Sequence, residues 1–165
     1  MDPMKPMFRL CLCLATALLL ALSCESEVRE ANINQNKYID DYVTKHYSDK
    51  EIVRSEGVVR VVLANNLPVT TIIEPGDSAS LYLVGYTFGQ NGPESQFTVD
   101  STTVRVGKGD LITGLDRGLL GARLGQESLI LFPAQLGYGK QSVGLVPENT
   151  ALIFDVLVTA IKKND

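Results

Sequence analysis

The fold of this chain is decided by the stretch Gly107–Gly139, GKGDLITGLDRGLLGARLGQESLILFPAQLGYG. It contains a glycine-bounded turn, one short apolar segment, a strand and a loop with an aromatic residue. In the apolar segment Leu115, Leu119 and Ala122 recur at the spacing of one helix face. A helix of this length is unstable by itself in water. The stretch therefore predicts a short helix that packs against a sheet, and the rest of the chain has to supply the other strands.

The predicted helix contains glycine residues, which weaken it. Gly118 and Gly121 lie inside it, and each destabilises a helix by about 1 kcal/mol relative to alanine. Gly125 is expected to adopt the left-handed conformation that ends many helices. The helix must therefore be stabilised by contacts with the sheet, because its own residues do not stabilise it sufficiently.

Several segments have the composition and the alternation of β-strands. They are Val58–Leu63, Ser80–Phe88, Gln96–Val106, Glu127–Phe132 and Ala151–Ile161. Strands of this kind around one short helix form an α+β fold. We expect an antiparallel half-barrel sheet wrapped around the helix, preceded by an N-terminal signal, a tether and a further helix.

The strand Glu127–Phe132 has apolar residues on both of its faces. We expect Leu129 and Leu131 to face the short helix, which leaves Ile130 and Phe132 on the other face. A solvated face of an antiparallel sheet is usually polar. The sequence therefore predicts that another element covers the second face.

The further helix is predicted for Asn36–Tyr47, after a polar tether at Glu25–Asn36. Its apolar stripe contains Ile39 and Val43. We expect this stripe to cover the second face of the strand Glu127–Phe132. The alternative is that the segment remains a spacer.

The composition of the chain excludes several classes of function. Hydrophobic residues make up 45% of the 165 residues, which suffices for one domain with additional segments. The net charge of −4 argues against binding of nucleic acid. The chain has a single histidine, His46, and shows no nucleophile–base pair, phosphate-binding loop or cluster of metal ligands. We therefore expect no cofactor and no metal, and we expect His46 to face solvent.

The first 24 residues have the pattern of an export signal. Positive residues precede the apolar run Leu10–Leu22, which is too short to span a membrane. Two interpretations are open: an ordinary cleaved signal, or a bacterial lipoprotein signal with Cys24 as the lipidated first residue of the mature chain. We favour the second, because Ser23 precedes Cys24 and no cysteine follows it. Residues 1–23 would then be the lipoprotein signal peptide, residues 24–56 the lipidated cysteine, tether and helix, and residues 57–165 the folded domain.

An ordered set of motifs carries a family resemblance. The motifs are GDLITGLDRGL, LGQ, PAQLGYG and GLVPENTALIFDV. Over roughly Val58–Lys162 the chain resembles the FKBP-type peptidyl-prolyl cis-trans isomerases, here in a bacterial lipoprotein form. The fold of that family, an antiparallel sheet wrapped about a helix, agrees with the fold that we expect from the strands and the helix.

The resemblance implies an apolar pocket for a proline ring. Its walls and floor would consist of Tyr86, Phe97, Leu111, Ile112, Leu115, Tyr138, Leu145, Val146 and Phe154. In the family the backbone N–H at the position of Ile112 and the hydroxyl at the position of Tyr138 bind carbonyl groups of the substrate. Leu115 would form the floor, where many members have tryptophan, and we expect a roomier pocket with a lower rate or a different preference for the residue before proline.

The Phe–Asp pair of the family has no clean counterpart in this chain. The sequence offers Phe97 followed by Thr98, or Val99 followed by Asp100. We place Phe97 in the pocket and leave Asp100 open as a substitute for the acid.

The expected function is isomerisation of Xaa–Pro bonds in exported proteins, by desolvation in the apolar pocket. This reaction requires no nucleophile, metal or cofactor. The alternatives are a non-catalytic proline-binding, peptide-binding or chaperone-like module, and a structural lipoprotein without a pocket. We expect proline-containing polypeptides as partners of a monomer, no nucleic acid, and a lipid anchor on Cys24 in the bacterial cell envelope, facing the periplasm or the surface.

Overall fold

The structure is a computed structural model that describes residues 30–31 and 33–164. By its contacts the chain divides into residues 1–33 and residues 34–165. Residues 30, 31 and 33 of the first unit are helical. The predicted signal segment and Cys24 lie outside the described residues. No helix within the described ranges is long and apolar enough to cross a membrane.

The second unit is built on one antiparallel sheet of six strands, with the spatial order β1-β2-β5-β6-β3-β4. A helix, α1, comes first and covers residues 34–46 of this unit, and a second helix, α2, precedes β5. The bounds of the other elements are β1 Glu51–Ser55, β2 Val58–Asn65, β3 Ser78–Gly89, β4 Gly92–Arg105, α2 Thr113–Leu119, β5 Gln126–Phe132 and β6 Ala151–Lys162. The predicted α+β fold, an antiparallel sheet wrapped around one short helix, is confirmed. Strand β1 was not predicted, because its short and mostly exposed sequence has little apolar alternation.

Helix α2 packs against strand β5 through its glycine residues. A methyl group at Gly114 would lie 2.3 Å from Cγ of Phe132, and one at Gly118 would lie 2.3 Å from Cγ2 of Ile130. Glycine is therefore the residue that lets this helix approach the sheet so closely. Leu115 and Leu119 are buried in the same cluster as Ile130 and Phe132. We call this side of the sheet the α2 face.

The opposite side, which we call the α1 face, is covered by α1. Ile39 and Val43 are buried in one cluster with Leu129 and Leu131 of β5. The expectation that this stripe covers the sheet agrees with the structure, but the assignment of the two faces of β5 was wrong. Ile130 and Phe132, not Leu129 and Leu131, meet α2, because the alternation along a strand fixes which residues share a face but not which face meets which helix.

The C-terminal end of α2 is held by Arg60 of β2. Its Nη1 donates hydrogen bonds to the carbonyl oxygens of Gly118 and Leu120, at 2.8 and 2.7 Å. Burial lowers the pKa of this guanidinium. The helix ends at Leu119, and Gly121 follows it with φ of 74°. Gly121 therefore takes the left-handed position after the helix that the sequence assigned to Gly125, which lies further on, in the turn before β5.

Replacing Gly118 with alanine tests the close packing of α2 on β5. In an exposed helix this change stabilises by up to about 1 kcal/mol. Here the new methyl group collides with Ile130, and overpacking of this kind costs about 1–3 kcal/mol. We therefore expect Gly118→Ala to lower the free energy of unfolding in urea. The control is Thr113→Ala, an exposed position of the same helix, for which we expect a change within about 0.5 kcal/mol; equal stability of Gly118→Ala and the parent protein would contradict the packing described.

Candidate active site

A cleft of about 310 Å³ opens on the α2 face, beside the N-terminal end of α2. Strands β3, β4 and β6 and the loop after β5 supply the other walls. The lining residues are Leu83, Thr98, Asp100, Thr102, Val104, Asp110, Leu111, Ile112, Leu115, Tyr138 and Phe154. Of the residues predicted for the pocket, this list contains Leu111, Ile112, Leu115, Tyr138 and Phe154.

Aromatic rings form one side of the cleft. The rings of Phe97 and Phe154 meet edge to face with their centroids 5.6 Å apart, and Phe97 meets Tyr138 at 6.5 Å. Phe154 also stacks on Phe132, at 5.9 Å. Edge-to-face and offset stacked pairs are the favourable arrangements of aromatic rings. These side chains therefore support each other in an ordered apolar wall.

Phe97 reaches this wall because strand β4 contains a bulge. Gly85 of β3 pairs with Thr98, but Tyr86 pairs with Gln96, so Phe97 has no partner in the ladder. A bulge of this kind re-aims a side chain. Phe97 Cζ and Thr98 Cγ2 both come within 2.8 Å of where a methyl group at Gly85 would lie. The sequence analysis placed Phe97 in the pocket; in the structure its ring contacts two lining residues, Phe154 and Tyr138, and no signal in the sequence marked the bulge.

Two hydrogen-bond donors at the cleft have no protein partner within the described part of the chain. Ile112 is the N-cap of α2: its carbonyl oxygen accepts the Asp116 N–H at 3.0 Å, while its own N–H precedes the helical ladder and donates to no described residue. The hydroxyl of Tyr138 likewise has no described partner. A polypeptide bound in the cleft could therefore offer carbonyl oxygens to both groups.

The loop that carries Tyr138 begins with a short 3-10 helix, Ala134–Leu136. The amides of Gly137 and Gly139, on either side of the tyrosine, both donate to the carbonyl oxygen of Ala134, at 2.9 and 2.8 Å. Gly139 has φ of 61°, a conformation that suits glycine. The backbone on both sides of Tyr138 is thus held by one acceptor.

Comparison with known proteins identifies the family. A sequence model described as FKBP-type peptidyl-prolyl cis-trans isomerase matches residues 70–159, more than half of the chain. The chain belongs to the FKBP family.

Related proteins and a solved structure agree with this assignment. The chain is 37% identical to mouse peptidyl-prolyl cis-trans isomerase FKBP9 over 91 residues, which is 54% of this chain but only 16% of that much longer protein. It is 27% identical to Arabidopsis thaliana FKBP15-3 over 140 residues, 84% of this chain and 97% of the relative. The structure of FkpA from Escherichia coli matches with a TM-score of 0.60 and 20% identity, covering 98% of this chain and 74% of that one; at this identity the match concerns the fold alone.

Four residues that the FKBP resemblance placed in the pocket are not among the lining residues of the cleft. Phe97 lies against it through ring contacts with Phe154 and Tyr138, and the other three lie elsewhere. Tyr86 packs into the cluster on the α1 face, because side chains alternate along β3 and Gly85 is the residue that faces the cleft. Leu145 lies at the tip of a turn closed by Val143 and Val146, and 74% of it is exposed. Val146 is 1% exposed and belongs to the core beside the cleft.

Polar side chains of β4 form a second wall that the FKBP resemblance did not identify. Thr98, Asp100 and Thr102 alternate along the strand and all line the cleft. The carboxylate of Asp100 accepts the Ser101 N–H at 2.8 Å. The sequence offered Phe97 and Asp100 as counterparts of the family's Phe–Asp pair. Both lie at the cleft, with Phe97 in the aromatic wall and Asp100 in the polar wall.

A second cavity, of about 240 Å³, lies between the β1–β2 hairpin and the C-terminal end of α2. Its charged side chains already have partners: Arg60 binds the helix carbonyls, and Arg117 pairs with Glu56 at 3.3 Å. It also lacks aromatic lining. The described residues contain no group of three metal-binding side chains. The cleft is therefore the candidate site of this FKBP domain.

The geometry predicts that Gly85 is essential for the aromatic wall. A methyl group there would lie 2.8 Å from both Phe97 Cζ and Phe154 Cε1, so both rings would have to shift. We expect Gly85→Ala to change the near-ultraviolet circular dichroism and to destabilise the protein by about 1–3 kcal/mol. The control is Ser78→Ala, a change in the same strand that leaves every aromatic residue in place, and for it we expect no change in the aromatic signals. Unchanged aromatic signals in Gly85→Ala would show that the rings do not approach this glycine.

Proposed function

We propose that this chain catalyses cis–trans isomerisation of Xaa–Pro peptide bonds in its cleft. The observation that carries the proposal is the combination of an aromatic wall with two donors, Ile112 N–H and Tyr138 hydroxyl, that have no partner within residues 30–31 and 33–164, in a member of the FKBP family. The reaction needs a place for a proline ring and donors for the flanking carbonyl groups. The cleft offers both.

The rate enhancement comes from desolvation in this proposal. Amide resonance gives the Xaa–Pro bond partial double-bond character, and the spontaneous rotation takes tens to hundreds of seconds. When the bond is twisted, resonance is lost and the carbonyl group is less polar. An apolar cleft therefore disfavours the planar amide more than the twisted transition state. Each 1.36 kcal/mol of this difference is worth about a factor of ten in rate.

Each part of the cleft has a separate task. Phe97 and Phe154 exclude water from the proline ring, and Leu115 lies beneath it. The N–H of Ile112 and the hydroxyl of Tyr138 hold the chain on either side, so that the bond between them can turn. Positioning by such donors contributes only if they keep the geometry that suits the transition state.

We also propose where the protein acts and on what. The substrates would be proline-containing segments of exported proteins, bound by a monomer that is anchored by a lipid on Cys24 in the bacterial cell envelope. The support is the apolar run Leu10–Leu22 and the position of Cys24 after Ser23. Several acyl chains on one cysteine would give a stable anchor, because each buried CH₂ contributes about 0.8 kcal/mol.

A second candidate function is binding of proline-containing or unfolded segments without catalysis. The polar wall of Thr98, Asp100 and Thr102 favours it, because polar groups and their water reduce the desolvation on which the rate depends. A measurement of the isomerisation rate separates the two candidates.

Replacement of Tyr138 and Phe154 tests the isomerase directly. We expect Tyr138→Phe to lower kcat/KM about fivefold, since a hydrogen bond of about 1 kcal/mol is lost. Phe154→Ala exposes the aromatic wall to water, and we expect this variant to lower kcat/KM by about tenfold or more. The measurement is a protease-coupled assay with an Xaa-Pro peptide.

The matched control is Tyr86→Phe, which removes the same hydroxyl from a tyrosine on the α1 face. We expect no change in kcat/KM for this variant. A parent protein that leaves the isomerisation at its spontaneous rate, but binds the peptide, would support the binding module in place of the enzyme. Equal losses for Tyr86→Phe and Tyr138→Phe would contradict the assignment of the cleft.

Lipidation of Cys24 can be tested by expression of the full chain in a bacterial host with a radiolabelled fatty acid. We expect the label to be incorporated and the protein to fractionate with membranes. Cys24→Ser should lose both properties, while Cys11→Ser, a change within the apolar run, should keep them. A soluble, unlabelled product from the parent chain would favour the ordinary cleaved signal.

A further inference from the structure

The side-chain amide of Gln35, in helix α1, is buried, and both its oxygen and its nitrogen form hydrogen bonds. Only 7% of the residue is exposed. Its Oε1 accepts the N–H of Ala134 at 2.8 Å, and its Nε2 donates to the carbonyl oxygen of Asn149 at 2.6 Å. Buried polar groups with complete hydrogen bonding are costly to disrupt. This side chain therefore fixes two backbone positions that lie far from it in the sequence.

Those two positions are the ends of the loop that carries Tyr138. Ala134 begins the loop and Asn149 stands just before β6. The ends are also linked through Gly139, because the N–H of Asn149 donates to the carbonyl oxygen of Gly139 at 2.7 Å. Gly139 in turn donates to the carbonyl oxygen of Ala134 at 2.8 Å. Gln35 completes a closed ring of hydrogen bonds at the base of the loop.

Tyr138 lies within this ring. Its two neighbours, Gly137 and Gly139, are both held by the carbonyl oxygen of Ala134. The N–H of Ala134 donates to the side-chain oxygen of Gln35. The tyrosine hydroxyl has no partner of its own in the described chain, so the direction of this side chain depends on the loop backbone and on its contact with Phe97.

The residue Gln35 lies outside the part of the chain that the FKBP sequence model matches, which begins at residue 70. It also lies at the end of the segment, Glu25–Asn36, that the sequence assigned to a tether. We propose that Gln35 is a positioning residue of the cleft: through Ala134 and Asn149 it holds the loop in the conformation that directs the Tyr138 hydroxyl at a substrate carbonyl. This proposal rests on the function proposed for the cleft.

Glutamine is the side chain that this role requires. Ala134 presents a donor and Asn149 presents an acceptor, and a primary amide offers the complementary acceptor and donor at one end of an aliphatic stem. Glutamate at neutral pH has no proton for Asn149, and methionine, of similar length, offers neither group. The two replacements therefore remove one or both hydrogen bonds with little change of volume.

The test compares Gln35→Met and Gln35→Glu with Ile39→Val, a buried change in the same helix that touches the sheet and not the loop. All are assayed at a temperature at which each is fully folded by circular dichroism. We expect Gln35→Met to lower kcat/KM by up to about fivefold, no more than Tyr138→Phe, chiefly through kcat, because a donor that is out of position is lost from the transition state. Gln35→Glu should fall between this variant and the parent, and Ile39→Val should keep the parent rate.

A double-mutant cycle shows whether the effect passes through Tyr138. In the Tyr138→Phe background the Gln35→Met change should cost at most about twofold, because the hydroxyl that it positions is already absent. If the two effects multiply instead, or if Gln35→Met has the same rate as Ile39→Val, the positioning role is wrong.

Amide exchange supplies a readout that does not depend on catalysis. In Gln35→Met the amides of Ala134, Gly139 and Asn149 should exchange at least tenfold faster, and those of β6 should not change. A parent protein without isomerase activity would refute the proposed function, while faster exchange confined to the loop would still support the role of Gln35 in holding it. Unchanged exchange of these three amides in Gln35→Met would overturn the inference in either case.

Discussion

The contact between the glycines of α2 and the aromatic and branched side chains of β5 is the constraint on which the rest of the structure depends. Gly114 leaves room for Phe132, and Gly118 leaves room for Ile130. Because Phe132 stacks on Phe154, the same contact sets the position of the innermost ring of the cleft. It also fixes the N-terminal end of the helix, where the amide of Ile112 has no partner among the described residues. A short helix that is weak by itself thus determines both the core and the cleft.

The two faces of the sheet serve different purposes. The α2 face holds the cleft and the cluster of apolar residues beneath it. The α1 face holds a separate cluster with Ile39 and Val43, which shields the apolar surplus of β5 from water. Helix α1 is therefore packed on the sheet, and through Gln35 it also reaches the loop that joins β5 to β6. Residues that precede the matched family domain thus contribute to the surroundings of the cleft.

The residues that the FKBP resemblance assigned to the pocket and that line the cleft stand in or beside local motifs. Ile112 and Leu115 belong to the turn and the first turn of α2, and Tyr138 stands between two glycines in a loop, so their neighbours along the chain specify them. The assignment of Tyr86 and Leu145 to the pocket does not agree with the structure, for the opposite reason. Which face of β3 meets the cleft, and which residue stands at the tip of a turn, depend on partners far away in the chain. Gly85 was missed, although glycine inside a strand commonly marks a close approach.

The sequence by itself determined five of the six described strands, the short helix, the order of the motifs and the family, because hydrophobic periodicity and turn residues are local signals. Only the tertiary structure decided the faces of β5, the bulge that brings Phe97 into the cleft, and the bonds of Gln35 to Ala134 and Asn149. The physical reason is that a strand has two equivalent faces and a polar side chain has many reachable partners until long-range packing selects one. The periodicity of a segment shows which of its side chains can be buried. The rest of the fold decides which neighbouring elements those side chains pack against.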